Sequence, residues 1–398
     1  MTNISEVVDD LAPSGIREFF DLVMGMDDVI SLGVGEPDFD TPRPIRDAMI
    51  QSIESGYNNY TSNQGMPELR EIISNFIEDR YNIRYSPDSE ILITVGVSEA
   101  MDLAMRALLD PGDEVVVPSP SYVSYAPTAK MAGANVINLE TTPDMDFRIR
   151  PDQLRQTITP DTKILTLNYP ANPTGISYNQ KELTQLAEVV EERNITVISD
   201  EIYAQLTYSG EHTAFPSLPG MREKTLYLNG FSKAYAMTGM RIGYAAGPEP
   251  IISAMTKIHQ YTMLCVPTAS QFAAIEALKN GSHAVETMRK EYNQRRQLVT
   301  RRLNEIGLPC PEPTGAFYAF PSIAPTKQDP ETFCRNLLKQ QSVAAVPGNA
   351  FGPGGEEHIR ISYATSRESL RKALNRLGSY VESLGVSMDQ EAGEPIAS

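Results

Sequence analysis

Tryptophan is absent from this 398-residue sequence, and cysteine and histidine are scarce, at three and four residues. The cysteines form no Cys-x-x-Cys pair and the histidines lie far apart, so we expect neither a disulfide framework nor a metal site. No apolar run approaches the roughly 20 residues that a membrane span needs. The N-terminal stretch lacks the basic and apolar regions of a signal peptide. These absences predict a reduced, cytoplasmic protein.

Positive charge is also in short supply, with 34 lysines and arginines against 51 aspartates and glutamates, a net charge of −17. Nucleic acids and anionic membranes attract proteins through positive fields, so neither is expected as a main partner. What is present is ordinary globular material, 41% hydrophobic and 21% charged. The length fits two to three domains.

Seven short runs rich in apolar and β-branched residues occupy the middle of the chain. They are ILITV (91–95), EVVVP (114–118), NVINLE (135–140), KILTLNY (163–169), ITVIS (195–199), TLYLN (225–229) and IGYAA (242–246). Continuous apolar runs of this length are typical of strands covered on both faces, as in a mostly parallel sheet. Helical patterns at 67–80 and 181–193 separate some of them. We predict an α/β fold, with a large domain at 45–283 whose seven-stranded sheet lies between helices.

The last third of the chain has a different pattern. One long amphipathic helix is expected at 284–306, followed by the strand-like segments GAFYAFP, VAAVPG and HIRISYA and a final helix. This predicts a smaller α+β domain at 284–384, to which part of the N-terminal arm at 1–44 belongs. The polar segment 385–398 is expected to be disordered.

Candidate ligand-binding residues follow four of the predicted strands, at the edge where ligands bind in open α/β sheets. They are Gly96, Val97 and Ser98, then Asn172, then Asp200 and Tyr203, then Ser232 and Lys233. Each has an ordinary alternative: Ser98 as a helix N-cap, a plain β-turn at NPTG, Asp200 as a cap or ion-pair partner, and Lys233 as a surface lysine. Together the set has one chemical use, which is to bind pyridoxal phosphate.

That cofactor needs protein groups at four places, which are its aldehyde, its ring nitrogen, its phosphate and its phenolic oxygen. A lysine amine forms a Schiff base with its aldehyde, and a carboxylate keeps its ring nitrogen protonated. A helix N-terminus and a fork-shaped guanidinium, here Arg241, suit its phosphate. Amide and phenol groups such as those of Asn172 and Tyr203 can donate hydrogen bonds to its phenolic oxygen.

At this point the sequence strongly resembles the fold-type I aminotransferases of class I and II, in the aspartate aminotransferase-like branch. The motifs that carry the resemblance are SLGVGEPDFDTP (31–42), YTSNQGMPELR (60–70), NYPANPTG (168–175), SDEIY (199–203), SKAYAMTGMRIGY (232–244), GAFYAFP (315–321), VPGNAFG (346–352) and HIRISYA (358–364). Within the branch the sequence is most similar to the prokaryotic aromatic and broad-range enzymes. The resemblance implies a ping-pong transfer of an α-amino group between an amino acid and a 2-oxo acid.

Carried over by position, the resemblance implies a role for each motif residue. Lys233 would hold the cofactor and move the substrate's proton, with Asp200 at the pyridine nitrogen. The remaining cofactor contacts would be Asn172 and Tyr203 at the phenolic oxygen, Tyr122 on the ring, and Gly96, Val97, Ser98 and Arg241 at the phosphate. Tyr60 would reach the phosphate of a neighbouring subunit, which implies a homodimer. Arg360 would bind the substrate carboxylate, beside Gly35 and Asn172.

Two positions depart from what is common among relatives. Gly230 stands where many relatives have a phosphate-binding serine, so Ser232 or Ser98 is expected to take over that contact. Ile16, near the substrate entrance in relatives, is apolar, and no extra cation is evident. We therefore expect a preference for aromatic or neutral side chains. The alternatives are an aspartate aminotransferase proper, or a carbon–sulfur β-lyase on the same fold.

Overall fold

The computed structural model describes residues 4–13, 15 and 28–386. Its strands are β1 (Ile30–Ser31), β2 (Ile91–Thr94), β3 (Glu114–Ser119), β4 (Asn135–Glu140), β5 (Thr162–Asn168), β6 (Thr196–Asp200), β7 (Thr225–Gly230), β8 (Gly243–Ala246), β9 (Tyr318–Ala319), β10 (Val343–Ala344), β11 (Val346–Pro347) and β12 (Ile359–Ser362). The α-helices of the described residues are α1 (Glu6–Asp9), α2 (Arg43–Glu54), α3 (Pro67–Tyr81), α4 (Gly96–Leu108), α5 (Tyr125–Met131), α6 (Pro151–Thr157), α7 (Gln180–Glu191), α8 (Glu249–Thr262), α9 (Thr268–Asn280), α10 (Ser282–Glu305), α11 (Pro330–Gln341) and α12 (Arg367–Ser383).

All seven predicted runs form strands of a single sheet, in the order β2-β8-β7-β6-β5-β3-β4. Neighbouring strands are parallel except at β8, which runs antiparallel to both β2 and β7. Every residue of β2 and β7 is buried. The predicted α/β fold with a mostly parallel seven-stranded sheet is therefore confirmed.

The two faces of this sheet pack into different parts of the core. Along β2, Ile91 and Ile93 lie in a cluster with Ile73 of α3. Leu92, between them, belongs to another cluster that includes Leu103 of α4. This alternation follows from the two-residue period of side chains along a strand. Helices cover both faces, which explains why the strands read as continuous apolar runs.

A second group of strands lies with the long C-terminal helix α10. A three-stranded antiparallel sheet has the order β11-β12-β9. Strand β1 pairs in parallel with β10, where Ile30 is opposite Val343. The N-terminal segment thus pairs with a strand of the C-terminal part of the chain. The domain limits themselves, at 45–283 and 284–384, stay predictions.

Strands β5 and β6 end side by side, because Asn168 is the register partner of Asp200. The next strand, β7, ends at Gly230, three residues before Lys233. Among the residues that the structure describes, no helix is long and apolar enough to cross a membrane. The described residues also contain no group of three or more histidine, cysteine or acidic side chains that could hold a metal ion.

Candidate active site

A cavity of about 1160 Å³ lies at the carboxyl ends of the central strands. Eleven of the fourteen residues singled out in the sequence line it. They are Gly35, Val97, Ser98, Tyr122, Asn172, Asp200, Tyr203, Ser232, Lys233, Arg241 and Arg360. These residues come from segments between 35 and 360 in the chain, and the fold brings them together around one space.

Lys233 follows β7 and reaches toward the N-terminal segment. Its Nζ donates a hydrogen bond of 2.7 Å to the carbonyl oxygen of Gly35. The same nitrogen is 6.0 Å from the ring centroid of Tyr203 and 5.9 Å from that of Phe317. Burial lowers the pKa of Lys233 from 10.5 to about 8. A neutral, nucleophilic amine is therefore far more accessible here than at an ordinary lysine.

Asp200 ends β6 and is buried at 5% exposure. Its carboxylate accepts hydrogen bonds from the Tyr125 hydroxyl, at 2.7 Å, and from the backbone N–H of Ile202, at 3.2 Å. Burial raises the pKa of Asp200 to about 6, although both hydrogen bonds act in the opposite direction. A carboxylate in this position gains from any cationic group that enters the cavity.

Arg360, on β12, is a buried cation that faces the cavity. Its Nη1 donates to Asn172 Oδ1 at 3.0 Å, and its Nη2 to the carbonyl oxygen of Gly33 at 2.5 Å. The guanidinium lies 4.7 Å from the ring centroid of Tyr318 and 4.9 Å from that of Phe351. Its Nε has no hydrogen-bond partner in the described part of the chain.

Burial lowers the pKa of Arg360, and the charges that oppose this effect come from tyrosines. A buried cation is costly without an anionic partner. The position therefore suits a carboxylate that enters from the cavity, since a guanidinium can bind it through two parallel hydrogen bonds.

The start of α4 and the side chain of Arg241 lie against each other. Gly96 has a φ of +76°, and a Cβ built on it would stand 2.6 Å from Arg241 Nη2. Glycine is thus needed at this position both for the backbone conformation and for the approach of the guanidinium. The helix starts at Gly96, so the reading of Ser98 as its N-cap is wrong. Free N–H groups of a first helical turn beside a guanidinium form a site for an anion.

Gly230 has a packing reason of its own. A Cβ at this position would be 2.9 Å from the Cα of Gly243 on the neighbouring strand. A side chain at 230 would therefore force β7 and β8 apart. Two hydroxyls are available at the cavity in its place, those of the buried Ser232 and the exposed Ser98.

Three predicted site residues are not on the cavity lining. Gly96 lies behind Arg241, as described above. Tyr60 is 82% exposed at the protein surface. Ile16 falls outside the described residues.

Three of the cavity residues that sequence reasoning missed have titratable side chains. Tyr125 holds Asp200, and its only signal was its position three residues after Tyr122 in SYVSY. Tyr318 lies in the GAFYAFP motif, which indicated a strand without indicating which side chain faces inward. Glu36 lies in the GVGEPDF segment, and its carboxylate accepts a hydrogen bond from the Thr238 hydroxyl.

Known proteins resemble this chain in sequence and in fold. The sequence model of the family described as aminotransferase class I and II matches residues 27–377. An aspartate aminotransferase of Pyrococcus abyssi is 44% identical over 377 residues, which cover 94% of this chain and 97% of that protein. An aromatic-amino-acid aminotransferase of Thermococcus litoralis is 40% identical over 377 residues, with 94% and 97% covered. The crystal structure of an aromatic aminotransferase from Pyrococcus horikoshii superimposes with a TM-score of 0.89 at 42% identity, covering 94% of this chain and 100% of that one.

Proposed function

The chain belongs to the class I and II aminotransferases and is a pyridoxal-phosphate-dependent enzyme, and we propose that it serves amino acids with aromatic or neutral side chains. In this proposal the α-amino group of an L-amino acid is transferred to a 2-oxo acid such as 2-oxoglutarate. The observation that carries it is one cavity that holds both a lysine with a lowered pKa and a buried arginine whose hydrogen bonds go to neutral groups.

The residues around the cavity fit pyridoxal phosphate. The glycine at the start of α4 leaves space for the Arg241 guanidinium, and together they suit a phosphate. The buried carboxylate of Asp200 suits a protonated ring nitrogen. The proposed cofactor contacts are Gly96, Val97, Ser98, Ser232 and Arg241 for the phosphate, Asn172 and Tyr203 for the phenolic oxygen, and Tyr122 for the ring.

When bound, pyridoxal phosphate supplies an aldehyde that joins amino groups and a ring that accepts the electron pair of a broken Cα–H bond. The protein supplies the proton transfer. The amine of Lys233, freed when an amino acid takes its place, would remove the proton from the substrate's α-carbon and deliver it to the aldehyde carbon of the cofactor. With the 2-oxo acid, Lys233 would move a proton in the reverse direction. Its low pKa makes the neutral, proton-accepting form available near neutral pH.

Arg360 would set the orientation of the substrate. Its guanidinium lies over the rings of Tyr318 and Phe351 and is held by its bonds to Asn172 and Gly33. A carboxylate bound to this rigid fork presents the α-carbon in one orientation. Pre-organisation of this kind lowers the entropic cost of reaching the reactive geometry.

Support for aromatic or neutral substrates comes from the cations of the cavity. Among the described residues that line it, the cations are Lys233, Arg241 and Arg360. Each already has a role, so none is left for a second substrate carboxylate. Glu36, also on the lining, would repel one. A relative named as an aspartate aminotransferase is 44% identical, against 40% for one named as an aromatic-amino-acid aminotransferase, so aspartate is the competing substrate.

We further propose that the active unit is a homodimer in which Tyr60 serves the neighbouring site. Tyr60 is one of several exposed large side chains, with Tyr57 at 55% and Tyr261 at 87% exposure. Exposed aromatic side chains are enriched at protein–protein contacts. Co-expressed Tyr60→Ala and Lys233→Ala chains test the idea, because a mixed dimer would regain one intact site and about a quarter of the sites would be active. Failure of mixing to restore activity would refute a shared site.

The substrate proposal is tested with a panel of donors. Purified enzyme is assayed with phenylalanine, tyrosine, leucine, alanine and aspartate, with 2-oxoglutarate and then pyruvate as acceptor. If the enzyme turned over aspartate far faster than the other donors, the proposed preference for aromatic or neutral side chains would be refuted. Lys233→Ala is expected to lose nearly all transfer, while Lys257→Ala, on the exposed side of α8, should leave it unchanged. Full activity in Lys233→Ala would refute the role of Lys233.

A further inference from the structure

Tyr318, on β9, contacts three groups of the proposed site. It is buried, at 1% exposure, and lines the cavity. Its hydroxyl oxygen is 2.8 Å from that of Tyr203, and its ring centroid is 4.7 Å from the guanidinium carbon of Arg360. Tyr203 belongs to the segment after β6, whereas Tyr318 and Arg360 lie on neighbouring antiparallel strands, β9 and β12. One side chain thus links the substrate arginine to the tyrosine proposed for the cofactor.

The third contact is with the N-terminal segment. A Cβ built on Gly35 would be 2.6 Å from the Tyr318 hydroxyl oxygen. The hydroxyl can therefore approach only because residue 35 is a glycine. The carbonyl oxygen of Gly35 accepts the hydrogen bond of Lys233 Nζ. Tyr318 accordingly packs against the backbone that positions the lysine.

The hydrogen bond between the two phenols has a direction that the proposed chemistry decides. Each hydroxyl has one hydrogen to donate. Burial raises the pKa of both Tyr203 and Tyr318, so both hydroxyls stay protonated. If Tyr203 donates its hydrogen toward the cavity, Tyr318 must donate to Tyr203. A hydroxyl that accepts a hydrogen bond becomes a stronger donor in turn.

We propose that Tyr318 is a positioning residue, which directs the hydroxyl hydrogen of Tyr203 into the cavity and holds the Arg360 guanidinium on its ring face. The inference rests on the proposed role of Tyr203 at the phenolic oxygen of pyridoxal phosphate. It assigns the hydroxyl and the ring of Tyr318 to separate tasks, which separate substitutions can distinguish. Tyr318→Phe removes the hydroxyl alone, and Tyr318→Leu removes the ring as well.

The primary readout is the pH at which the absorbance of the bound cofactor changes. A hydrogen bond from Tyr203 to the phenolic oxygen of the cofactor would favour the deprotonated form of that oxygen. Loss of this bond should therefore raise the pH at which the absorbance changes. We expect an upward shift of about one to two pH units for Tyr203→Phe. For Tyr318→Phe we expect a shift in the same direction of about 0.2 to 0.5 unit. The double variant should match Tyr203→Phe, because Tyr318 acts through Tyr203.

Steady-state kinetics separate the two tasks. Tyr318→Phe is expected to lower kcat with little change in the KM for the amino acid, because the ring against Arg360 is kept. Tyr318→Leu should also raise KM. Tyr85→Phe is the matched control, since Tyr85 is a buried tyrosine whose hydroxyl has no partner among the described residues, and it should match the unmodified enzyme in both assays.

The outcomes are distinguishable. A shift in Tyr203→Phe with none in Tyr318→Phe would overturn this inference and leave the proposed function intact. No shift in Tyr203→Phe would refute the role of Tyr203 and this inference with it. Equal shifts for Tyr318→Phe and Tyr85→Phe would indicate a general effect of losing a buried hydroxyl. That result would also overturn the proposed role of Tyr318.

Discussion

Glu36→Gln tests how the protein sets the reactivity of Lys233. Burial is the largest influence on this lysine and lowers its pKa, and the positive charges of Arg360 and Arg241 act in the same direction. The carboxylate of Glu36 is the largest opposing influence and raises the pKa. Glutamine keeps an oxygen that can accept the hydrogen bond of Thr238 and removes only the charge. The substitution should therefore lower the pKa of Lys233 further.

The size of the effect follows from the fraction of neutral amine. With a pKa of about 8, roughly one tenth of Lys233 is neutral at pH 7, against about one in three thousand for a lysine at 10.5. Because Glu36 is exposed and its field is screened, we expect Glu36→Gln to lower the pKa by about 0.5 unit. The neutral fraction at pH 7 then rises about 2.5-fold. At pH values well above the pKa, the two proteins should behave alike.

The assay is the rate at which cofactor-free protein takes up excess pyridoxal phosphate, followed by absorbance between about pH 6 and about pH 10. The rate should increase with pH to a plateau, with its midpoint near the pKa of Lys233. Glu71→Gln, on the exposed face of α3, is a control with the same change in net charge. A midpoint near 10.5 in the unmodified protein would refute the effect of burial. An equal shift in both variants would refute the specific role of Glu36.

The same pKa makes a prediction about stability. Because the folded protein holds Lys233 at a pKa of about 8 and the unfolded chain at about 10.5, the unfolded chain binds more protons between these values. The contribution of Lys233 therefore destabilises the cofactor-free protein below pH 8, and stability rises with pH through this window. Lys233→Met should remove this rise, as measured by the denaturation midpoint across the same pH range.

Three further predictions concern single positions. Arg360→Lys should lower kcat/KM for amino acids roughly 10- to 100-fold, the loss of one charge-assisted hydrogen bond, while kinetics with amines that lack a carboxylate should change little. In a denaturant titration, Glu201→Leu should reduce the free energy of unfolding by more than about 4 kcal/mol. The reason is that the buried carboxylate of Glu201 accepts hydrogen bonds from four groups, including His212 at 2.6 Å. Glu201→Gln should reduce it much less. Gly230→Ser should weaken pyridoxal phosphate binding in equilibrium dialysis and lower Tm, since its Cβ would be 2.9 Å from Gly243 Cα; tighter binding would contradict this packing argument.

The sequence was sufficient to predict the sheet and most of the cavity residues. Strands buried on both faces need continuous apolar runs, and such runs are visible without coordinates. The residues after them share an edge because parallel strands end together, so Asp200 and Lys233 could be expected at one site. The orientation of β8, by contrast, depends on its pairing with β2 and β7, which its own four residues do not encode.

Tertiary structure alone decided which side chains support the site. Tyr125 and Tyr318 cannot be distinguished from other tyrosines in the sequence. Their hydroxyls bond to Asp200 and Tyr203, and only the fold brings these partners close. In the sequence, Gly230 stands out only because relatives have a serine there. The structure shows that Gly243 is too close to leave space for a side chain. Local composition therefore determined the strands and the chemistry at their ends. Contacts across the fold, such as those of Lys233 with Gly35 and of Arg360 with Gly33, determined the surroundings of the two cations.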